Sequence, residues 1–153
     1  MFIRWIERPP KIPGRYETAL SLILADTKRV DGTVRQRHIA YLGGGITDRG
    51  IENLIHCCSF WDSVTAAFDE LGDTVPPADR ERFETAIADR VPRPSGDAYK
   101  DAARQTAQRY GWESLSKGFK AVLADEAEQW KAHETRVRAE DAEMVISIMH
   151  GRR

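Results

Sequence analysis

Two segments able to form β-strands flank the dipeptide Asp31-Gly32, and this pairing limits the fold more tightly than any other feature of the chain. A two-residue type I′ hairpin loop needs positive φ at both central positions, and Asp-Gly tolerates that geometry. The segments are therefore expected to pair antiparallel, over about residues 16–28 and 33–42. On the first arm Leu20, Leu22 and Leu24 alternate with Ala19, Ser21 and Ile23, which gives one strongly apolar face. On the second arm Val34, Gln36, His38, Ala40 and Leu42 alternate with Thr33, Arg35, Arg37, Ile39 and Tyr41. Simple alternation sends Arg35 and Arg37 to one side and Val34, His38 and Leu42 to the other. On that reading His38 is a half-buried, hydrogen-bonded core histidine rather than a catalytic base. Upstream, Phe2–Arg8 reads as a third short strand, stopped by Pro9-Pro10 because proline cannot donate to a ladder. Three antiparallel strands need helices over one face to be stable.

Beyond Thr47 the apolar period becomes helical. Ile51, Leu54, Ile55, Cys58, Trp61, Val64, Phe68 and Leu71 fall at intervals that make one face, with Thr47 or Asp48 as the expected cap and Gly72-Asp73 as the stop. Gly43-Gly44-Gly45 is then expected to be a flexible turn from strand to helix. It lacks the lysine and hydroxyl of a phosphate loop and the dinucleotide fingerprint. Pro76-Pro77 opens a second helix with Phe83, Ala86, Ile87 and Val91 on its apolar side. Residues 92–96, Pro-Arg-Pro-Ser-Gly, read as a linker between a module of residues 1–91 and a helical region of residues 97–153. A third helix is expected to run to Tyr110. From Trp112 to His150 the chain has no proline, so one long amphipathic helix or two shorter ones would follow. Such a helix has little to bury against here, which leaves open a solvated face or pairing with a second copy. The expected class is α+β: an N-terminal three-stranded antiparallel sheet followed by a mostly helical region with a long C-terminal helix.

Composition excludes several functions. No apolar run approaches the roughly 20 residues that a membrane helix needs, and the opening MFIRWIERPPK has no secretory pattern. Cys57 and Cys58 are adjacent, a poor basis for a disulfide framework, so a cytoplasmic protein is expected. His56, Cys57 and Cys58 would project about 100° apart on a helix and cannot converge on one ion, so the cysteines read as core residues. No nucleophile stands with a base and an orienting group. The expectation is a non-enzymatic protein without cofactor or metal.

Charge points elsewhere. The net charge is −1, yet residues 1–45 carry eight basic and four acidic side chains, and the remainder carries fifteen and twenty. A polyanion would meet the front of the chain. Arg35 and Arg37 stand about 7 Å apart by strand rise, near the phosphate repeat along one nucleic-acid strand. Lys28 and Arg29 lie across the turn from them, and Tyr41 adds a stacking surface. Lys28, Arg29, Arg35 and Arg37 are the candidate nucleic-acid contacts, acting on phosphates rather than bases.

The run Val30-Asp31-Gly32-Thr33-Val34-Arg35-Gln36-Arg37-His38-Ile39-Ala40-Tyr41-Leu42-Gly43, together with the start Met1-Phe2-Ile3-Arg4, resembles the opening segment of certain insertion-sequence transposases. There a similar hairpin carries a sequence much like DGKVRQRHIAYLG. The match covers about the first 45 residues. It implies an N-terminal module associated with DNA handling. The acidic triad of those enzymes sits on a larger RNase-H-like domain, for which helices stand here, so no catalytic residue carries over. The competing expectation is a protein–protein module that uses the long terminal helix and Trp130, including homodimerisation.

Overall fold

The hairpin forms between β2 (Ala19–Val30) and β3 (Thr33–Thr47), joined by Asp31 at φ 53° and Gly32 at φ 76°. Positive φ at both loop residues is the type I′ geometry for which Asp-Gly is suited. The third strand, β1 (Phe2–Arg8), pairs antiparallel with β2 from Phe2↔Ala25 to Arg8↔Ala19, giving the order β1-β2-β3. These elements come from a computed structural model that describes residues 1–150. The chain divides into two compact units, Met1–Ser95 and a second beginning at Gly96.

The two hairpin arms differ in length: 12 residues of β2 face 15 of β3. Register shifts at Leu20/Leu22, Leu22/Ile23 and Leu24/Ala25 absorb the three extra residues. Each is a place where two residues of β3 oppose one of β2, so the face that a side chain occupies changes relative to strict alternation. Leu20, Leu22 and Leu24 are fully buried, as their alternation requires. On β3 the outcome departs from alternation. Arg37 pairs with Asp26 and His38 with Ala25, but Ala40 pairs with Leu24, so Ile39 is extra and packs on the core. Leu42 is buried too, whereas Tyr41, opposite Ile23, lies on the other face with His38. His38 is exposed and not half-buried.

The glycine triplet is not a turn. β3 continues through it to Thr47, because two of the three positions have no room for a side chain. A Cβ on Gly43 would stand 3.2 Å from both Phe60 and Val64, and one on Gly44 would overlap the Tyr41 hydroxyl. Gly43 lets α1 (Leu54–Leu71) lie close against the sheet, and Gly44 lets the Tyr41 ring lie across the opposite face.

The helix begins later than Thr47. Asn53 is its cap, its side chain accepting from the His56 amide at 3.2 Å, and Thr47 instead accepts from Gly50 N–H at the 3₁₀ turn Gly50–Glu52. Cys57, Phe60, Trp61, Val64 and Phe68 of α1 close over the leucine face of the sheet, with Phe83 and Ile87 of α2 (Pro77–Ala88) and with Val91. Trp5 stacks on Phe60 at 5.8 Å between ring centroids, a pair worth about 0.5–1.5 kcal/mol beyond its area. The buried Trp61 indole donates to the Val91 carbonyl at 3.0 Å, so this donor is satisfied within the core.

In the second unit α3 (Gly96–Tyr110) is followed by a 3₁₀ turn, the short α4 (Lys117–Val122), another 3₁₀ turn and α5 (Ala127–His150). The segment from Trp112 is thus broken. Gly111 sits at φ 85°, and the Ser116 hydroxyl caps α4 by accepting from Phe119 N–H. Ala102, Ala103, Ala107, Trp112, Leu115, Phe119 and Leu123 are buried. Glu126 gathers Arg104, Lys100 and the Trp130 indole around one carboxylate. The Arg104 guanidinium chiefly holds its carboxyl down to about 2, against some desolvation, with Trp130 and Lys100 adding to the effect.

Two outcomes follow from this packing. Gly43→Leu should lower the unfolding free energy by about 1–3 kcal/mol through overpacking against Phe60 and Val64, seen as a lower urea midpoint in far-UV circular dichroism. An unchanged midpoint would mean that α1 does not lie on this strand. A carboxyl held low in the folded state stabilises fully above its ordinary value of 4.5, and that contribution is lost as pH falls towards 2. The protection factors of amides in α3 and α5 of the wild type should therefore fall across that window. Glu126→Gln should exchange faster at neutral pH and respond less to acid, and equal acid sensitivity of the two proteins would contradict this.

Candidate nucleic-acid interface

β1 reaches only as far as Ala25, so from Asp26 outward the hairpin is a bare two-stranded ribbon. Its side chains from Thr27 to His38 are exposed. Pairing fixes the faces, because residues directly opposite in an antiparallel ladder point the same way. Asp26 with Arg37 and Lys28 with Arg35 share the face that continues from the leucine core. Ala25 with His38, Thr27 with Gln36 and Arg29 with Val34 share the other. Of the four candidate contacts, then, the fold brings Lys28, Arg35 and Arg37 together and sets Arg29 on the reverse side.

Electrostatics divides the first three again. Arg37 stands 3.7 Å from Asp26, which also receives the N-terminal ammonium at 3.6 Å. Such an exposed pair is worth about 0–1 kcal/mol, enough to orient Arg37 without removing it from solvent. Lys28 and Arg35 face one another directly and, among the described residues, make no ion pair. Like charges opposite one another on a sheet destabilise the pairing. The ribbon therefore carries a small unrelieved repulsion that gives the fold nothing in return.

Sequence reasoning passed over Arg4 and Gln36. Arg4 Nη1 donates to Gln36 Oε1 at 2.8 Å, from the first strand to the third, and the diagonal between them crosses Ala25. Ala25 is 2% exposed, which its small side chain beneath that bridge explains. No local spacing signals this partnership, since Arg4 and Gln36 lie 32 residues apart.

The other constellations resolve as packing. Cys57 and Cys58 are buried and free, Cys57 Sγ donates to the Ile51 carbonyl at 3.0 Å, and burial, helped by Asp62, pushes the Cys58 thiol up to about 12. A thiol held that high is a poor nucleophile. Among the described residues no group of three or more His, Cys, Asp and Glu side chains is placed to hold a metal ion. No described helix is long and apolar enough to cross a membrane. The chain matches no known protein family, no curated protein and no solved structure.

Proposed function

We propose that the protein is a non-catalytic, cytoplasmic nucleic-acid-binding protein whose basic ribbon meets phosphates through Lys28, Arg35 and Arg37 on one side and Arg29 on the other. The observation that carries this reading is the Lys28–Arg35 pair, two cations held opposite each other with no ion pair to a carboxylate among the described residues. Departures from local stability rules concentrate at functional sites. A phosphate between the two side chains would convert repulsion into attraction. The ribbon is narrow, exposed and built on a rigid turn, and a two-stranded β-ribbon fits a major groove. The resemblance of residues 1–45 to a transposase opening segment agrees with this reading, and both assign the front of the chain to DNA.

A second reading has its own support. Along α5 every residue from Thr135 onward is exposed, including Val137, Met144, Val145, Ile146, Ile148 and Met149, the last at 70%. Such a surface suits a protein partner or a second copy. The two readings differ in their response to salt.

Binding of duplex DNA to the wild type should weaken steeply as salt rises, with a log–log slope of about 0.9 per neutralised phosphate. Replacing Lys28 and Arg35 by alanine should reduce that slope by about two. The double variant should melt at the same temperature or slightly higher, since the like-charge pair is gone. Identical salt slopes for the two proteins would remove the ribbon as the contact surface. Association that is insensitive to salt and lost on truncation before α5 would favour the second reading.

A further inference from the structure

We infer that the sheet face opposite α1 is a platform for single-stranded nucleic acid, with Tyr41 as the stacking side chain; this deepens the nucleic-acid reading above and rests on it. The carboxylates of the paired strands all lie on one face of the sheet, whereas basic side chains occupy both. On the helix-covered side and its continuation lie both carboxylates of the paired strands, Glu7 opposite Leu20 and Asp26 opposite Arg37. Glu7 is bonded to Arg90 and Asp26 to Arg37. The opposite face carries Arg4, Arg8, Arg29 and His38 and no carboxylate within the paired strands. Glu17 lies beyond the strand ends, where it accepts from the Thr47 hydroxyl at 3.0 Å.

Aromatic surface sits among these basic side chains. Tyr41 is 55% exposed although its hydroxyl end rests on the Gly44 backbone, and Phe2 is half-buried on the same face. A glycine beneath an exposed tyrosine lets the ring lie along the sheet and leaves its other side to solvent. From Ile23, opposite Tyr41, to Arg29 is six residues, roughly 20 Å at strand rise, so the aromatic and the last arginine would bracket a short extended strand. Basic side chains interleaved with aromatics on an open sheet are suited to unpaired bases, whose π-faces stack whatever their sequence. A duplex hides those faces and can use only the cations.

The test measures fluorescence anisotropy with a short labelled oligothymidylate and, separately, a duplex of the same length. Wild type should bind the single strand. Tyr41→Leu should weaken that binding by about fivefold or more, the loss of one stacked base, and Tyr41→Trp should restore it. Arg29→Ala should weaken it and lower the salt slope by about 0.7, a larger loss than Lys28→Ala with Arg35→Ala causes. Circular dichroism of each variant checks the fold, and Arg29, on the exposed ribbon, tests the face even if Tyr41→Leu loosens β3. If the wild type binds duplex but not single strand, or if only the Lys28 and Arg35 changes matter, the platform is wrong and the ribbon reading stands. If it binds neither probe, both fall.

Discussion

The close approach of α1 to Gly43 decides what the sheet can be. A helix whose Phe60 and Val64 lie against a bare strand buries one face of the sheet at high density and fixes where that face ends. The leucines in β2 and Leu42 and Ile46 in β3 are fully buried, and each such side chain contributes about 1.5–3 kcal/mol. Trp5 joins β1 to the same helix through Phe60. The opposite face then has no apolar partner to satisfy within the strands and is free to carry cations. The ribbon beyond Ala25 has neither a third strand nor a helix to support it. It is held by its own ladder and by the Asp31-Gly32 turn.

That division gives the charges their meaning. Where an arginine in this unit borders the core, a carboxylate or an aromatic ring holds it. Arg90 lies over Trp5 at 4.9 Å and is bonded to Glu7, and Arg93 lies over Trp61 at 4.8 Å and is bonded to Glu84. In the second unit Arg104 and Lys100 converge on Glu126. Lys28 and Arg35, on the exposed ribbon, make no ion pair among the described residues. The net charge of −1 hides the basic bias of residues 1–45, because the remainder carries fifteen basic and twenty acidic side chains.

Much of the fold was legible because its signals are local. Asp31-Gly32 specified the turn, the leucine alternation specified the buried face of β2, and Pro77 and Gly72 marked the ends of helices. The faces of β3 were not legible. Alternation assumes one residue per partner, and three extra residues in fifteen break that assumption where Ile39, Leu42 and the glycines stand. The triplet read as a turn because glycine favours turns in isolation, yet here the demand comes from helix and ring atoms distant in sequence. Asn53, one residue before the apolar run, was a usable cap signal that Thr47 and Asp48 outshone. At the site, the four cations were visible in the sequence, but their division between two faces depends on register. The partnership of Arg4 with Gln36 spans three strands, which no local pattern encodes.

The claim at the centre of this account is that the sheet face opposite α1 and the ribbon extending from it are where a polyanion lands. Amide chemical-shift mapping on the isotope-labelled chain at low salt, during titration with oligothymidylate, tests it most directly. The account predicts that the largest shifts cluster in β1, in Ile23 to Arg29 and in Val34 to Tyr41, with α5 unmoved. Shifts confined to α5, or spread evenly over the chain, would contradict it.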